Sequence, residues 1–135
     1  MNPKDFPTTQ GIYKIVNSRN KRVYIGSTVN FQNRFAQHLK MLREGNHHCK
    51  QLQNDWDLYG EECFTFKVAE VVDDKTVLLD VEKEHIHQYK RPYNKKDRLN
   101  WDYTPNYTIE QRLLINQKRA ERNQKLMPTH RDWWR

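Results

Sequence analysis

The sequence predicts a small α/β (α+β) domain followed by a basic helical tail, and three observations carry that prediction. Residues 11–16 (GIYKIV) and 22–26 (RVYIG) are short β-branched and aromatic runs around the turn-rich NSRNK. Two helix-length stretches come next, each closed by a glycine. A third run, residues 63–72 (CFTFKVAEVV), then alternates apolar and polar positions, giving the order β-β-α-α-β.

The first two runs read as a hairpin. With the turn centred on Ser18 and Arg19, paired residue numbers sum to 37, which sets Tyr13 opposite Tyr24 on one face. In NFQNRFAQHLKMLREG, Asn30 is the N-cap and Gly45 the stop. Phe31, Phe35, Leu39 and Leu42 form its core stripe, with Arg34 and His38 four apart on the flank. CKQLQNDWDLYG is a second helix, with Cys49, Leu52, Trp56 and Tyr59 on one side and Gly60 ending it. In the third strand Phe64, Phe66 and Val68 alternate against Cys63, Thr65 and Lys67. A third helix runs from about Lys75 to Tyr89, where Pro92 forbids continuation. Its broad apolar side holds Val77, Leu78, Leu79, Val81, Ile86 and Tyr89. Glu82 falls inside that side and Glu84 outside it.

At 135 residues the chain has single-domain length, and its 12% aromatic content is too high for a disordered chain. The organisation expected is a domain over residues 1–94 and a linker with a basic helix over 95–135. The net charge of +7 is concentrated in that tail: 10 Lys/Arg stand against 5 Asp/Glu from residue 95 onward, and 14 against 12 before it. The surplus favours a polyanion, nucleic acid before membrane, because no helix with a Leu/Phe/Trp face accompanies it. Two cysteines make no disulfide framework, and neither a signal peptide nor a long apolar run is present, so an intracellular, soluble protein is expected.

Some residues invite chemistry. A carboxylate on a core-facing stripe, as at Glu82, costs several kcal/mol unless it is paired or binds a metal. Glu82 therefore either snorkels to water or an arginine, or ligates a metal at the floor of a pocket. Arg34 and His38 are either a solvated flank or a phosphate-recognising pair of guanidinium and imidazole. Tyr13 and Tyr24 are good strand residues, and a phenol becomes a base only if cations lower its pKa. His47, His48 and Cys49 suggest zinc, but no second ligand pair follows at a recognised spacing.

Taken together, residues 11–94 resemble the GIY-YIG nuclease family, most closely the catalytic domains of phage and mobile-intron homing endonucleases. Gly11-Ile12-Tyr13 and Tyr24-Ile25-Gly26 match its signature. GSTVNFQNRFAQHL resembles the following helix, with Arg34 and His38, and His47 matches the histidine after the next glycine. LLDVEKEHIHQYKRPYN looks like the closing motif, with Glu82 as the metal-binding glutamate and Asn94 as its asparagine. The resemblance implies a three-stranded antiparallel sheet flanked by helices, with both tyrosines in the active site.

It also implies hydrolysis of double-stranded DNA with one divalent metal, Mg²⁺ or Mn²⁺, on Glu82. Arg34 would offset phosphoryl charge and Tyr13 would orient or deprotonate water, with Tyr24 and His38 assisting and Gly26, His47 and Asn94 shaping the site. Such enzymes usually continue into separate DNA-recognition modules, whereas 41 residues follow Asn94 here. In those residues Arg112, Lys118, Arg119, Arg122 and Lys125 can grip phosphates. Leu113, Leu114 and Ile115 equally suit docking of the same helix on the domain. The expectation is a freestanding or homing-like endonuclease, monomeric or transiently dimeric on DNA. The alternatives are a catalytically silent binding module and a structure-specific repair nuclease.

Overall fold

A computed structural model of the chain describes residues 2–94 and 107–126, with side chains through Arg122. Residues 95–106 of the expected linker over 95–108, residues 127–135 and the Lys125 side chain lie outside the described residues. Strands β1 (Gly11–Asn17), β2 (Val23–Thr28) and β3 (Phe64–Val71) form one antiparallel sheet in the order β2-β1-β3. Helices α1 (Phe31–Glu44) and α2 (Lys50–Tyr59) lie between β2 and β3 in sequence. Helices α3 (Leu78–His87) and α4 (Ile109–Leu126) follow.

The alternation read in the strands divides the core between the two faces of the sheet. Tyr13, Ile15, Tyr24, Phe64 and Phe66 join Phe31, Phe35, Leu39, Leu42, Leu52 and Trp56 from α1 and α2. Ile12, Val23 and Ile25 point the other way, to Leu78 and the half-buried Val81 and Ile86 of α3. The caps of α1 form as the sequence predicts. The Asn30 side chain accepts the Asn33 N–H, and Gly45 closes the helix in the left-handed conformation at φ 79°.

Two expectations need correction. The hairpin pairs Tyr13 with Gly26 and Ile15 with Tyr24, so the tyrosines share a face but are not directly opposite. The turn is longer than expected because Asn17 and Asn20 accept backbone N–H groups of Arg19 and Arg22, and Lys21 takes a left-handed conformation at φ 63°. The third helix is shorter than expected: a 3₁₀ turn at Lys75–Val77 precedes it, and Val77 and Leu79 are exposed because the sheet covers only part of its apolar side.

For α4, docking on the domain is one of the two compatible readings of its sequence, and it is observed. It docks on α2: Arg122 and Arg119 pair with the buried Asp57, Arg119 also donates to Asn54, and the Tyr107 hydroxyl donates to Asp55. Ile115 is buried in this contact, whereas Leu113 and Leu114 stay exposed. No helix among the described residues is long and apolar enough to cross a membrane.

Candidate active site

Tyr13 lies on the central strand, on the face covered by α1. Its partner across β2 is Gly26, where a β-carbon would fall on the Tyr13 phenol. The glycine therefore lets the ring cross the neighbouring strand, a steric requirement separate from backbone conformation. Edge-on packing against Phe35 at 5.5 Å fixes the ring. Arg34 and His38, one turn apart on α1, then meet its hydroxyl at 3.2 Å and 2.5 Å.

A chain of hydrogen bonds continues inward. His38 Nδ1 is 2.8 Å from His47 Nε2, and His47 Nδ1 accepts the backbone N–H of Cys49 at 3.0 Å. Burial, reinforced by neighbouring cationic and histidine charges, lowers His38 to about 2 and His47 to about 4, so both rings are neutral near pH 7. The backbone donor then sets the tautomers. His47 carries its proton on Nε2 and donates to His38 Nδ1, and His38 Nε2–H donates to the Tyr13 oxygen. That oxygen accepts from both His38 and Arg34, leaving the Tyr13 O–H as a donor.

Tyr24 has its own histidine: its hydroxyl is 2.9 Å from His48 Nε2, and His48 stacks on His47 at 4.4 Å. Tyr24, His48 and Glu82 line a cavity of about 540 Å³ together with Lys50, Tyr93 and Asn94. Glu82 is half-buried on α3. Burial raises its pKa, opposed by a hydrogen bond from the Ser27 backbone and by the charge of Arg34. Burial also raises Tyr13, with Arg34 pulling the other way, and raises Tyr24 strongly. The expectation of a lowered phenol pKa is thus not met by Arg34 alone, because desolvation outweighs it.

Asn94 closes the outer edge of β2, accepting the Ile25 N–H at 2.7 Å and donating to the Ile25 carbonyl at 2.5 Å. Among the described residues no group of three or more His, Cys, Asp or Glu could hold a metal. A lone half-buried carboxylate beside an open cavity does fit a hard cation that keeps most of its waters and takes further ligands from substrate phosphate, as Mg²⁺ does. Both ring nitrogens of His38 and of His47 are already bonded within the protein.

The structure thus brings Tyr13, Tyr24, Gly26, Arg34, His38, His47, Glu82 and Asn94 around one site. His38 is fully buried, where a flank position was expected. Of the basic residues expected on DNA, Arg112 is exposed and lies 5.9 Å over the Tyr107 ring, and Lys118 is half-buried. Arg122 is a docking residue, since its guanidinium is held by Asp57, and Arg119 shares that anion. Sequence reasoning weighed His48 only as a zinc ligand, not as the partner of Tyr24, and missed Gln53. The doubled histidine and a glutamine four residues before Asp57 were the available signals.

Comparison with known proteins agrees with this geometry. The GIY-YIG catalytic domain matches residues 9–97. Intron-associated endonuclease 1 of Enterobacteria phage T4 is 27% identical over 114 residues, covering 82% of this chain and 46% of the relative. The chain therefore spans less than half the length of that curated relative. The solved catalytic domain of homing endonuclease I-TevI aligns with a TM-score of 0.56 at 30% identity, over 59% of this chain and 87% of that one. A mutant form of the same domain aligns at 0.55 and 30%, over 58% and 81%.

Proposed function

Since the chain belongs to the GIY-YIG family, we propose that it is an endonuclease hydrolysing phosphodiester bonds of double-stranded DNA. The observation that carries this reading is the Tyr13 hydroxyl held jointly by Arg34 and His38, within electrostatic range of the Glu82 carboxylate.

Arg34 brings a permanent cation with fork geometry to the Tyr13 hydroxyl, within electrostatic range of Glu82, where it would offset charge developing on phosphoryl oxygens. Its Nε bond to Tyr13 and its Nη1 bond to Gln37, at 2.9 Å, fix the direction of that fork. Two donors on one phenol oxygen favour the phenolate against the desolvation that opposes it. Tyr13 is thereby placed to orient an attacking water; it could take a proton from that water only as the phenolate, which the further charge of a cation on Glu82 would have to favour against burial. Tyr24, held by His48, bounds the cavity from the β2 side. Glu82 would hold one divalent cation, Mg²⁺ or Mn²⁺, which when bound supplies charge to polarise the phosphate and stabilise the leaving oxygen. Arg112 and Lys118 on α4 are suited to contact phosphates flanking the cut. One site cuts one strand at a time, so a double-strand break would need sequential attack or transient dimerisation.

The test is cleavage of supercoiled plasmid by wild type, Glu82→Ala and Arg34→Ala, with Mg²⁺ and with EDTA, after circular dichroism shows all three folded. Mg²⁺-dependent nicking by wild type alone is expected. A folded wild type that retards DNA on a gel without cutting it would instead favour a binding module. Wild-type rates from Arg34→Ala would remove the phosphate role.

A further inference from the structure

The loop from Gly45 to His48 carries the histidine that sets the tautomers of the site, yet no strand or helix contains it. Gln53 of α2 secures it. The Gln53 side chain is buried, and its Oε1 accepts the His47 backbone N–H at 3.1 Å. Its Nε2 donates to the Leu42 carbonyl at the end of α1 and to Asp57 Oδ1, both at 3.0 Å.

These partners fix the amide orientation: a flipped Gln53 would set its NH₂ against the His47 N–H and its oxygen against two acceptors. The carboxylate of Asp57, fully buried as a side chain, is in turn held by Arg122 of α4. The Arg122 side chain reaches it across Gly45, where a β-carbon would strike the guanidinium. The docked helix thus touches both ends of one arrangement, the loop at Gly45 directly and His47 through Asp57 and Gln53.

We propose that Gln53 is a positioning residue for the catalytic tyrosine and that, through Asp57, it makes the docked C-terminal helix part of the catalytic unit. The order is Arg122 to Asp57 to Gln53 to His47 to His38 to Tyr13. The two arms at Asp57 have distinct tasks. Its charge turns the Gln53 NH₂ inward, which leaves Oε1 for the loop. Its pairing with Arg122 compensates the burial of that charge, which α2 alone does not do. With His47 held at its own backbone, the Cys49 N–H meets its ring and the proton pattern out to Tyr13 is set. This inference rests on the endonuclease reading for its kinetic arm only.

The experiment compares full-length wild type, Gln53→Met and Arg122→Met in single-turnover cleavage of supercoiled plasmid with Mg²⁺. Histidine ring nitrogens are followed by ¹H–¹⁵N NMR without DNA. Gln53→Met is expected to lower the cleavage rate constant about 10-fold at an unchanged half-saturating DNA concentration, the signature of lost positioning and not of lost binding. Its His47 ring is expected to lose the single tautomer protonated on Nε2. Arg122→Met is expected to shift both readouts the same way, with a rate loss of about 3-fold.

A wild-type rate in Gln53→Met, or a His47 tautomer unchanged in it, overturns the proposal. If Gln53→Met does not fold, Arg122→Met decides, and an unchanged rate with an unchanged histidine spectrum overturns the linkage. A wild type inert on plasmid refutes the endonuclease reading alone, because the spectra still report the linkage.

Discussion

At Tyr13 two effects meet on one oxygen. Burial raises the phenol pKa and Arg34 lowers it, and burial wins. What holds the ring there is the absence of a side chain at Gly26. Gly26→Ala should displace the phenol from Arg34 and His38, destabilising the fold by about 1–3 kcal/mol and abolishing cleavage. Chemical denaturation and plasmid nicking measure the two effects.

The buried histidines predict a pH dependence of definite sign. His38 and His47 stay neutral in the folded chain down to about 2 and about 4, whereas the ordinary value is 6.5. Below 6.5 the unfolded chain therefore binds more protons. Stability falls as the pH drops from 6.5 toward 4, with a slope approaching two protons, about 2–3 kcal/mol per pH unit. Urea unfolding at pH 7, 6 and 5 checks this, and the pair's slope should fade above about 7.5, where the unfolded histidines are neutral as well. Tyr13, Tyr24 and Arg34 were legible because their neighbours form a motif. Gln53, Asp55, Asp57 and the depth of His38 were not, since hydropathy patterns assign polar residues to the outside and these take bonds or ion pairs from other elements.

At the level of elements, α1 was legible from cap to cap because its signals are local: an asparagine, four apolar positions and a glycine. The hairpin register was not, because it depends on how many residues the turn consumes, and Asn17, Asn20 and Lys21 together make it longer. The extent of α3 depended on how much of it the sheet covers. Asn94 shows how an element can be completed from a distance, pairing with the edge of β2 as a strand would. Asn94→Ala leaves both Ile25 backbone groups without this partner and should cost about 1–3 kcal/mol. Thermal unfolding measures it, and an unchanged midpoint would contradict the pairing.

On the scale of the molecule, the basic surplus of the tail proves to have two uses. Arg122 and Arg119 face the buried acid of α2, while Arg112 is exposed and Lys118 half-buried. Nothing in the sequence separates the two, since the choice is made by Asp57, more than fifty residues earlier. A chain cut after Asn94 would lose the Arg122 pair with Asp57, the Tyr107 bond to Asp55 and the burial of Ile115. It should be less stable than the whole by about 3 kcal/mol or more. Denaturant titration of both chains measures the difference, and equal stability would show the helix to be an appendage.

The sheet order has one more consequence. Strand β1 is bonded on both sides, so its amides exchange with deuterium only when the entire domain opens, while α3 meets the sheet largely through half-buried side chains. Tyr13 is thus mounted on the most durable part of the protein and Glu82 on one of the least. On warming, the two should part company before the fold is lost: a reversible inactivation, with the sheet still intact beneath it.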